Sequence, residues 1–398
     1  MRAGIPPVFE LFLIICVNMR KSCFVLWAGI WLGMSACGTR QEAARTDAGM
    51  DDVVTRTIEW RPDSVGLLQD LVAAVRYVPL ESTPESFLAD ISKIRVYRDE
   101  LYIMDDGMRA DYGIRVFGPD GAYRRHIGRA GKGPGEVIQI DDFTIRGDRL
   151  FIADGHAGKM VVYTLDGQFV EDIPLADADL ASFAACDSGF LWTGDIYYRE
   201  NPENRYGLYK TDDRMQPEWK RGKYDASSTR ALLTEVSDSL LIWMQGGSDS
   251  VYFYNRQGHL TRCIHFDFPE RHRIAYEKRR EVRDLPADEK FDYYRIGEWN
   301  PAVVGPYLMG QITMPGGEWD IFMADLRDGR IYLDRGRYVV RDQTAGFYPV
   351  NDSTFVSWVT PDSETFLEKT EPRIAKLPDD VRKRIFDGDC ALVFYTLK

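Results

Sequence analysis

Leu150-Phe-Ile-Ala-Asp154, Met160-Val-Val-Tyr163 and Thr164-Leu-Asp-Gly167 repeat, in the same order and with the same breaks, Leu101-Tyr-Ile-Met-Asp105, Ile114-Arg-Val-Phe117 and Gly118-Pro-Asp-Gly121. Each copy holds an apolar run of strand length, a polar break, a second run ending in an aromatic residue, and an Asp-Gly turn whose glycine supplies the positive φ that a hairpin needs. These are successive antiparallel strands. Gly121 and Gly167 stand 46 positions apart, within the roughly 40–50 residues of one four-stranded propeller blade.

Working outward, the next turns fall at Lys210-Thr-Asp-Asp213, at Asn255-Arg-Gln-Gly258 and at Asp325-Leu-Arg-Asp-Gly329, each after a short apolar run. The last is late by about 25 residues, which places an insertion at 269–300 between the fourth and fifth units. Phe347-Tyr-Pro-Val350, Thr354-Phe-Val-Ser-Trp358 and Ala391–Leu397 supply a sixth unit. Blades of about 46 residues fit the length six times, whereas seven would need about 40 each. Val72–Leu80 is a good strand with no partner nearby, Val75 and Tyr77 sharing one face. Closing a ring requires a strand from one terminus to complete the sheet begun by the other, so this strand and Ala391–Leu397 are expected to form the seam. Pro378–Phe386 has proline and acids first, bases late and Gly388 after it, the start and stop signals of a short helix. Within the insertion, Ile274–Asp284 has the charge density of another. The expected fold is all-β: a six-bladed β-propeller of four-stranded antiparallel blades, with a short helical insertion between blades 4 and 5 and a short helix near the C-terminus.

These residues also carry a resemblance. Leu150–Gly167 resembles an NHL repeat, and with the glycine-rich segment His126–Glu136 between two such units, most of Val72–Lys398 resembles the bacterial six-bladed β-propeller lipoproteins. The resemblance implies the fold and an envelope location; that family is largely uncharacterised, so it implies no particular activity. The Asn-Arg pair usual after the strand aspartate is replaced here by Gly155-His-Ala-Gly-Lys159.

At the N-terminus, Arg20 and Lys21 precede the apolar run Cys23–Met34, which ends in Ser35-Ala36-Cys37. A basic flank, a short apolar core and small residues before a cut describe a secretory signal, and the core is too short for a span of about 20 residues. Met-Ser-Ala-Cys further resembles a bacterial lipobox, which makes Cys37 the expected lipid attachment site. An ordinary or unprocessed signal is the alternative. Residues 1–36 are thus read as signal peptide, with 1–18 an upstream extension and Met19 the start, 37–70 as a polar tether, and 71–398 as the propeller.

Loss of residues 1–36 removes Arg2, Arg20, Lys21 and Glu10 and moves the formal charge from −12 to −14. An acidic chain is poorly suited to phosphate backbones, so no nucleic acid partner is expected and the membrane is reached through the lipid alone. Cys186, Cys263 and Cys390 are widely spaced, with no Cys-x-x-Cys pair, and read as core thiols.

Several residues invite chemistry. Gly128–Glu136 could cradle phosphate with Lys132, but its spacing matches neither nucleotide-binding fingerprint and strands surround it, so an inter-blade turn is expected. Asp105, Asp106, Asp154 and Asp195 recur at strand ends. Asp105, Asp154 and Asp195 could hold calcium at a central channel, or each could cap its own turn. The histidines form no metal-binding spacing, and Gly-x-Ser-x-Gly is absent. Trp192 and Tyr198 in the third unit, and Tyr293 and Trp299 beside the insertion, are the candidate ligand-stacking aromatics, though aromatics in propellers more often serve inter-blade packing. Arg271, Arg273, Lys278, Arg279, Arg280 and Arg283 form a basic cluster there, read as a solvated helix face or a contact for an acidic partner. The expected role is a lipid-anchored, outer-membrane envelope module that binds a small molecule, glycan or envelope protein without a cofactor. The alternative is a metal-dependent lyase or hydrolase acting through channel carboxylates.

Overall fold

The structure, a computed structural model, describes residues 53–398 apart from 90, 106–112, 176–179, 195–205, 224–230, 238, 246–247, 275–284, 287–288, 290–291, 298–299, 336–345 and 361–376. The chain first lays down Val54–Glu59 (β1), Gly66–Leu67 (β2) and Val72–Pro79 (β3). Four complete blades follow in chain order. Blade 1 is Ile91–Tyr97 (β4), Glu100–Asp105 (β5), Ile114–Phe117 (β6) and Tyr123–Ile127 (β7). Blade 2 is Asp142–Arg146 (β8), Arg149–Asp154 (β9), Lys159–Thr164 (β10) and Phe169–Pro174 (β11). Blade 3 is Leu180–Ala185 (β12), Phe190–Gly194 (β13), Tyr206–Thr211 (β14) and Pro217–Lys223 (β15). Blade 4 is Ala231–Ser237 (β16), Leu240–Gln245 (β17), Ser250–Asn255 (β18) and Leu260–Asp267 (β19).

In blade 5 the inner strand is broken into Arg295–Ile296 (β20) and Ala302–Val304 (β21), both paired with Tyr307–Thr313 (β22), before Trp319–Asp325 (β23) and Ile331–Leu333 (β24). Blade 6 takes Tyr348–Asn351 (β25), Thr354–Val359 (β26) and Ala391–Leu397 (β27) from the C-terminus, and β3 from the N-terminus as its outer strand. The seam is antiparallel, with Leu392 opposite Val78 and Tyr395 opposite Val75. The fold is a six-bladed β-propeller with its ring closed as the sequence required.

Each blade is buried on both faces, so its strands are apolar at consecutive positions. In β9, Leu150 and Ile152 pack toward blade 1 while Phe151 and Ala153 pack toward blade 3. Six hydrophobic clusters result, one in each gap between neighbouring blades. The helix Asp379–Phe386 (α1) forms where the sequence places it and buries Val381 and Ile385 in the gap between blades 5 and 6. The repeated turns join third to outer strands, with positive φ at Gly121, Gly167, Gly258 and Gly329 and at Met215 in the third. Blade 6 has no such turn because its third strand, β27, and its outer strand, β3, come from distant parts of the chain.

One expectation is corrected. Residues 54–71 lie against the ring and do not form a free tether. β1 adds to the outer edge of blade 4 in parallel with β19, β2 adds to blade 5 in parallel with β24, and the chain then enters blade 6 as β3. The physical reason is burial: Ile58 and Trp60 enter the gap between blades 4 and 5, and Leu68 and Leu71 enter the next. This strap circles half the ring.

Candidate functional site

Alternation of strand direction gives the ring two unlike ends. At one, the turn end, first strands join second and third join outer through connections of five residues or fewer, such as 98–99, 147–148 and 305–306. At the other, the loop end, the strands that flank 106–113, 128–141, 195–205, 268–294, 334–347 and 360–390 finish and begin. The insertion and the long connection of the third unit, which the sequence singled out separately, both leave strands that finish at the loop end.

The inner strands bring charged groups from distant parts of the chain to the axis in two tiers. Nearer the loop end, Lys93 of blade 1 donates from Nζ to Asp142 Oδ1 of blade 2 at 2.6 Å and to the Phe143 carbonyl at 2.8 Å. Asp142 Oδ2 accepts from Ser182 Oγ of blade 3 at 2.7 Å and from the Phe183 N–H at 2.9 Å. On the far side, Asn300 Nδ2 donates to the Tyr348 hydroxyl at 3.3 Å, and that hydroxyl donates to the Ser92 carbonyl at 3.0 Å. Burial raises the Tyr348 phenol above its ordinary value, so it stays a neutral donor. The result is a polar ring of balanced charge assembled from blades 1, 2, 3 and 6 together with Asn300.

Nearer the turn end, Glu235 of blade 4 is the centre of a second tier. Its Oε1 accepts from Thr144 Oγ1 of blade 2 at 2.8 Å and from Arg256 Nη1 at 2.9 Å. Arg95 of blade 1, on the opposite side of the axis, donates to the Glu235 carbonyl at 3.2 Å, and its Nε stands 3.9 Å from Glu235 Oε2. Arg256 also donates to the Ala185 carbonyl of blade 3. Burial works against the carboxylate, but Arg95, Arg256 and Lys93 outweigh it and hold Glu235 below the ordinary glutamate value. Cα atoms of β16 and β25 come within 8 Å of each other. The axis is therefore narrow and bridged by an ion pair.

The sequence candidates fall as follows. Asp154 Oδ2 accepts the Ile138 N–H at 2.6 Å and Oδ1 accepts the Ala157 N–H at 2.8 Å. Asp105 Oδ2 accepts the Ala89 N–H at 3.1 Å and lies 3.4 Å from Arg115 Nη1. Both do the work of turn and loop capping. Asp195 and Asp106 lie outside the described residues, and no group of three or more metal-ligating side chains occurs among the described ones. Asp141, beside Asp154, accepts the Gly155 N–H at 2.6 Å; burial pushes its carboxyl up.

The glycine-rich loop turns its polar groups inward. Glu136 Oε2 accepts the Gly133 N–H at 2.9 Å, the Gly131 N–H meets the Val137 carbonyl at 2.9 Å, and the Gly135 N–H meets Asp172 at 3.3 Å. Those amides are committed within the chain, as a structural turn requires.

Trp192 is fully buried, stacked on Phe183 at 4.5 Å and donating to Thr211 Oγ1 at 2.9 Å, so its ring is core between blades 2 and 3 and offers no ligand surface. Tyr293 is half-buried at the loop end. Tyr198 and Trp299 lie outside the described residues, as do 275–284 with most of the basic cluster. Of that cluster, Arg273 pairs with Asp267 at 3.0 Å. Cys186, Cys263 and Cys390 are buried and in no disulfide, and burial raises the first two thiols to about 11 and about 12, which keeps them protonated and unreactive. Cys37 lies outside the described residues, and no helix among the described residues is long and apolar enough to cross a membrane.

The two channel tiers were not singled out from the sequence. Their signal was there: Lys93 and Arg95 alternate with apolar residues in Ile91–Val96, and Glu235 stands in Leu232–Val236. A charge centred in a buried strand asks for a partner, but spacing could not say which.

Among solved structures, a Bacteroides fragilis protein whose name describes it as exported is similar over 87% of this chain and 100% of its own, at 15% identity and a TM-score of 0.67. A member of the DUF4221 family from Bacteroides vulgatus is similar over 85% and 99%, at 12% identity and a TM-score of 0.51. Both likenesses are of fold. No curated protein sequence matches the chain. The model of a domain of unknown function, DUF4934, matches residues 61–380, which takes in nearly the whole ring. This chain belongs to the DUF4934 family.

Proposed function

We propose that the protein is a lipid-anchored cell-envelope propeller that binds a polar ligand or an envelope protein at its loop end. The observation that carries this reading is the asymmetry of the ring: the strands that flank the long connections finish at one end, where the Lys93–Asp142 tier lies, while the Arg95–Glu235 bridge crosses the axis behind it. A rigid ring with variable loops suits recognition. A tier whose Lys93 and Asp142 already neutralise one another favours a hydrogen-bonding, uncharged ligand such as a glycan over a strongly ionic one. Envelope placement draws on the lipobox-like Met34–Cys37 and on the name of the exported Bacteroides fragilis protein. Catalysis through channel carboxylates has less support, because Asp142 and Glu235 are each engaged by two or more donors.

The test is a binding screen of the mature chain against soluble oligosaccharides and solubilised envelope proteins, with melting curves to confirm folding. A ligand captured by the wild type should be lost or weakened at least tenfold in Tyr293→Ala and Lys93→Met, and held equally by Asp148→Ala at the turn end. Equal capture by loop-end and turn-end variants would refute the assignment of the face. For the anchor, Cys37→Ala should abolish incorporation of labelled palmitate; continued incorporation would refute the lipid site.

A further inference from the structure

The strap has a direction, and that direction orients the ring on its membrane. β1 pairs with β19 in parallel over six positions, from Val54 opposite Arg262 to Glu59 opposite Asp267. β19 begins just after the turn at Asn255–Gly258 and finishes at the loop end. Val54 therefore stands toward the turn end and Glu59 toward the loop end. A second contact fixes the same placement: the Arg56 guanidinium donates to the carbonyls of Leu326 and Arg327, which belong to the turn-end connection between β23 and β24. Burial of Ile58 and Trp60 in the gap between blades 4 and 5 holds the other end of the strand.

We propose that the membrane lies beside the turn end, and that the loop end faces away from it. This rests on the reading of Cys37 as the lipid site. Cys37 is 17 positions before Val54, so the attachment point lies at most about 60 Å from the turn end, at roughly 3.3–3.6 Å per residue. To bring the loop end to the bilayer, the same residues would first have to run back past β1, about 20 Å at roughly 3.3 Å per residue, and then clear the long connections. The chemistry of the turn end suits a hydrated gap over lipid headgroups. Its exposed side chains include Asp120, Arg124, Asp148, Arg149, Asp328 and Arg330, of both signs, and beside them the partly exposed Phe169 and Val170, which follow the Gly167 turn. A ligand or partner held at the loop end would thus be met on the side away from the anchoring membrane, with the ring as spacer.

The experiment uses the full lipidated protein in vesicles containing an acceptor-labelled lipid. A donor dye is placed on Asp148→Cys at the turn end or on Glu270→Cys at the loop end; the buried native thiols do not compete. Energy transfer to the bilayer should be severalfold greater from position 148 than from 270. Equal transfer, or greater transfer from 270, overturns the orientation. The Cys37→Ala form separates this from the anchor itself: if it still floats with vesicles as the wild type does, the lipid reading falls, whatever the dyes report.

Discussion

At the residue scale, the Glu235 carboxylate is the group on which most of the axis depends. Four blades touch it or its immediate partners: Arg95 from blade 1, Thr144 from blade 2, the Ala185 carbonyl through Arg256 from blade 3, and blade 4 itself. Glu235→Gln keeps the shape but removes the carboxylate that faces the Arg95 and Arg256 guanidinium groups. Breaking one side of a buried ionic network costs about 3–5 kcal/mol, which urea unfolding should read as a lower midpoint with an unchanged slope. The pH dependence has a definite sign. Because the folded carboxyl sits below its ordinary value of 4.5, its stabilisation is complete above that value and is lost as pH falls through the lower, folded one. The gap between wild type and Glu235→Gln should therefore be constant at neutral pH and shrink only below about pH 4.5; a gap that closed between pH 8 and 6 would assign it to another group. A second residue-scale contrast concerns Gly189 and Gly329, with φ of +70° and +81°. Each would pay roughly 1–2 kcal/mol for an alanine in that region, but at Gly189 the new Cβ would also overlap the Thr211 carbonyl, whereas at Gly329 nothing lies within 4 Å. Gly189→Ala should lower the melting temperature well over twice as much as Gly329→Ala.

At the element scale, the seam and the strap make different claims. β27 lies between β26 and β3 and lends Val393, Tyr395 and Leu397 to one inter-blade gap and Leu392 and Phe394 to the next. Removing residues 391–398 should therefore unfold the ring as a unit, with loss of the cooperative melting transition, and a truncated chain that melted as before would refute the closure. The strap is an addition to blades already complete, so its loss should be graded. Trp60→Ala removes a side chain that is 3% exposed and in ring contact with Phe268, Tyr294 and Phe322. The expected cost is about 3–5 kcal/mol, with the ring still folded. The two elements also differ in how far the sequence disclosed them. β3 and β27 are strongly apolar because blades bury both faces, and they read clearly as strands. In Val54–Trp60 only alternate positions carry large apolar groups, Ile58 and Trp60, and the residues between them are Thr, Arg and Glu. A parallel strand on the outer edge of a blade has one neighbour to bond with and one groove to fill, so its pattern is too sparse to distinguish from a polar linker. The channel tiers were hidden for another reason: Arg95 and Glu235 are 140 positions apart, and only the sixfold closure makes blades 1 and 4 face each other.

At the scale of the whole molecule, the ring should be indifferent to where the chain is cut, provided the cut falls in a turn of the repeating kind. Five blades join their third and outer strands by such a turn, and the sixth holds the same two strands together without one, the Lys398 N–H meeting the Leu71 carbonyl at 2.8 Å. Lys398 and Val54 both stand at the turn end, two blades apart, so a flexible linker of about 20 residues, whose r.m.s. span is roughly 5–6 Å times the square root of its length, can join them without disturbing the strap. A chain that starts at Gly167, runs to Lys398, crosses the linker to Val53 and ends at Asp166 keeps every described strand and moves the open seam from blade 6 to blade 2. The same six gaps are filled by the same side chains, so it should melt in one cooperative step close to the uncut protein, as calorimetry would show. A permuted chain that melted in two steps, or failed to fold, would mean that the blades are not equivalent and that the terminal seam does something in folding that a turn at the same place cannot.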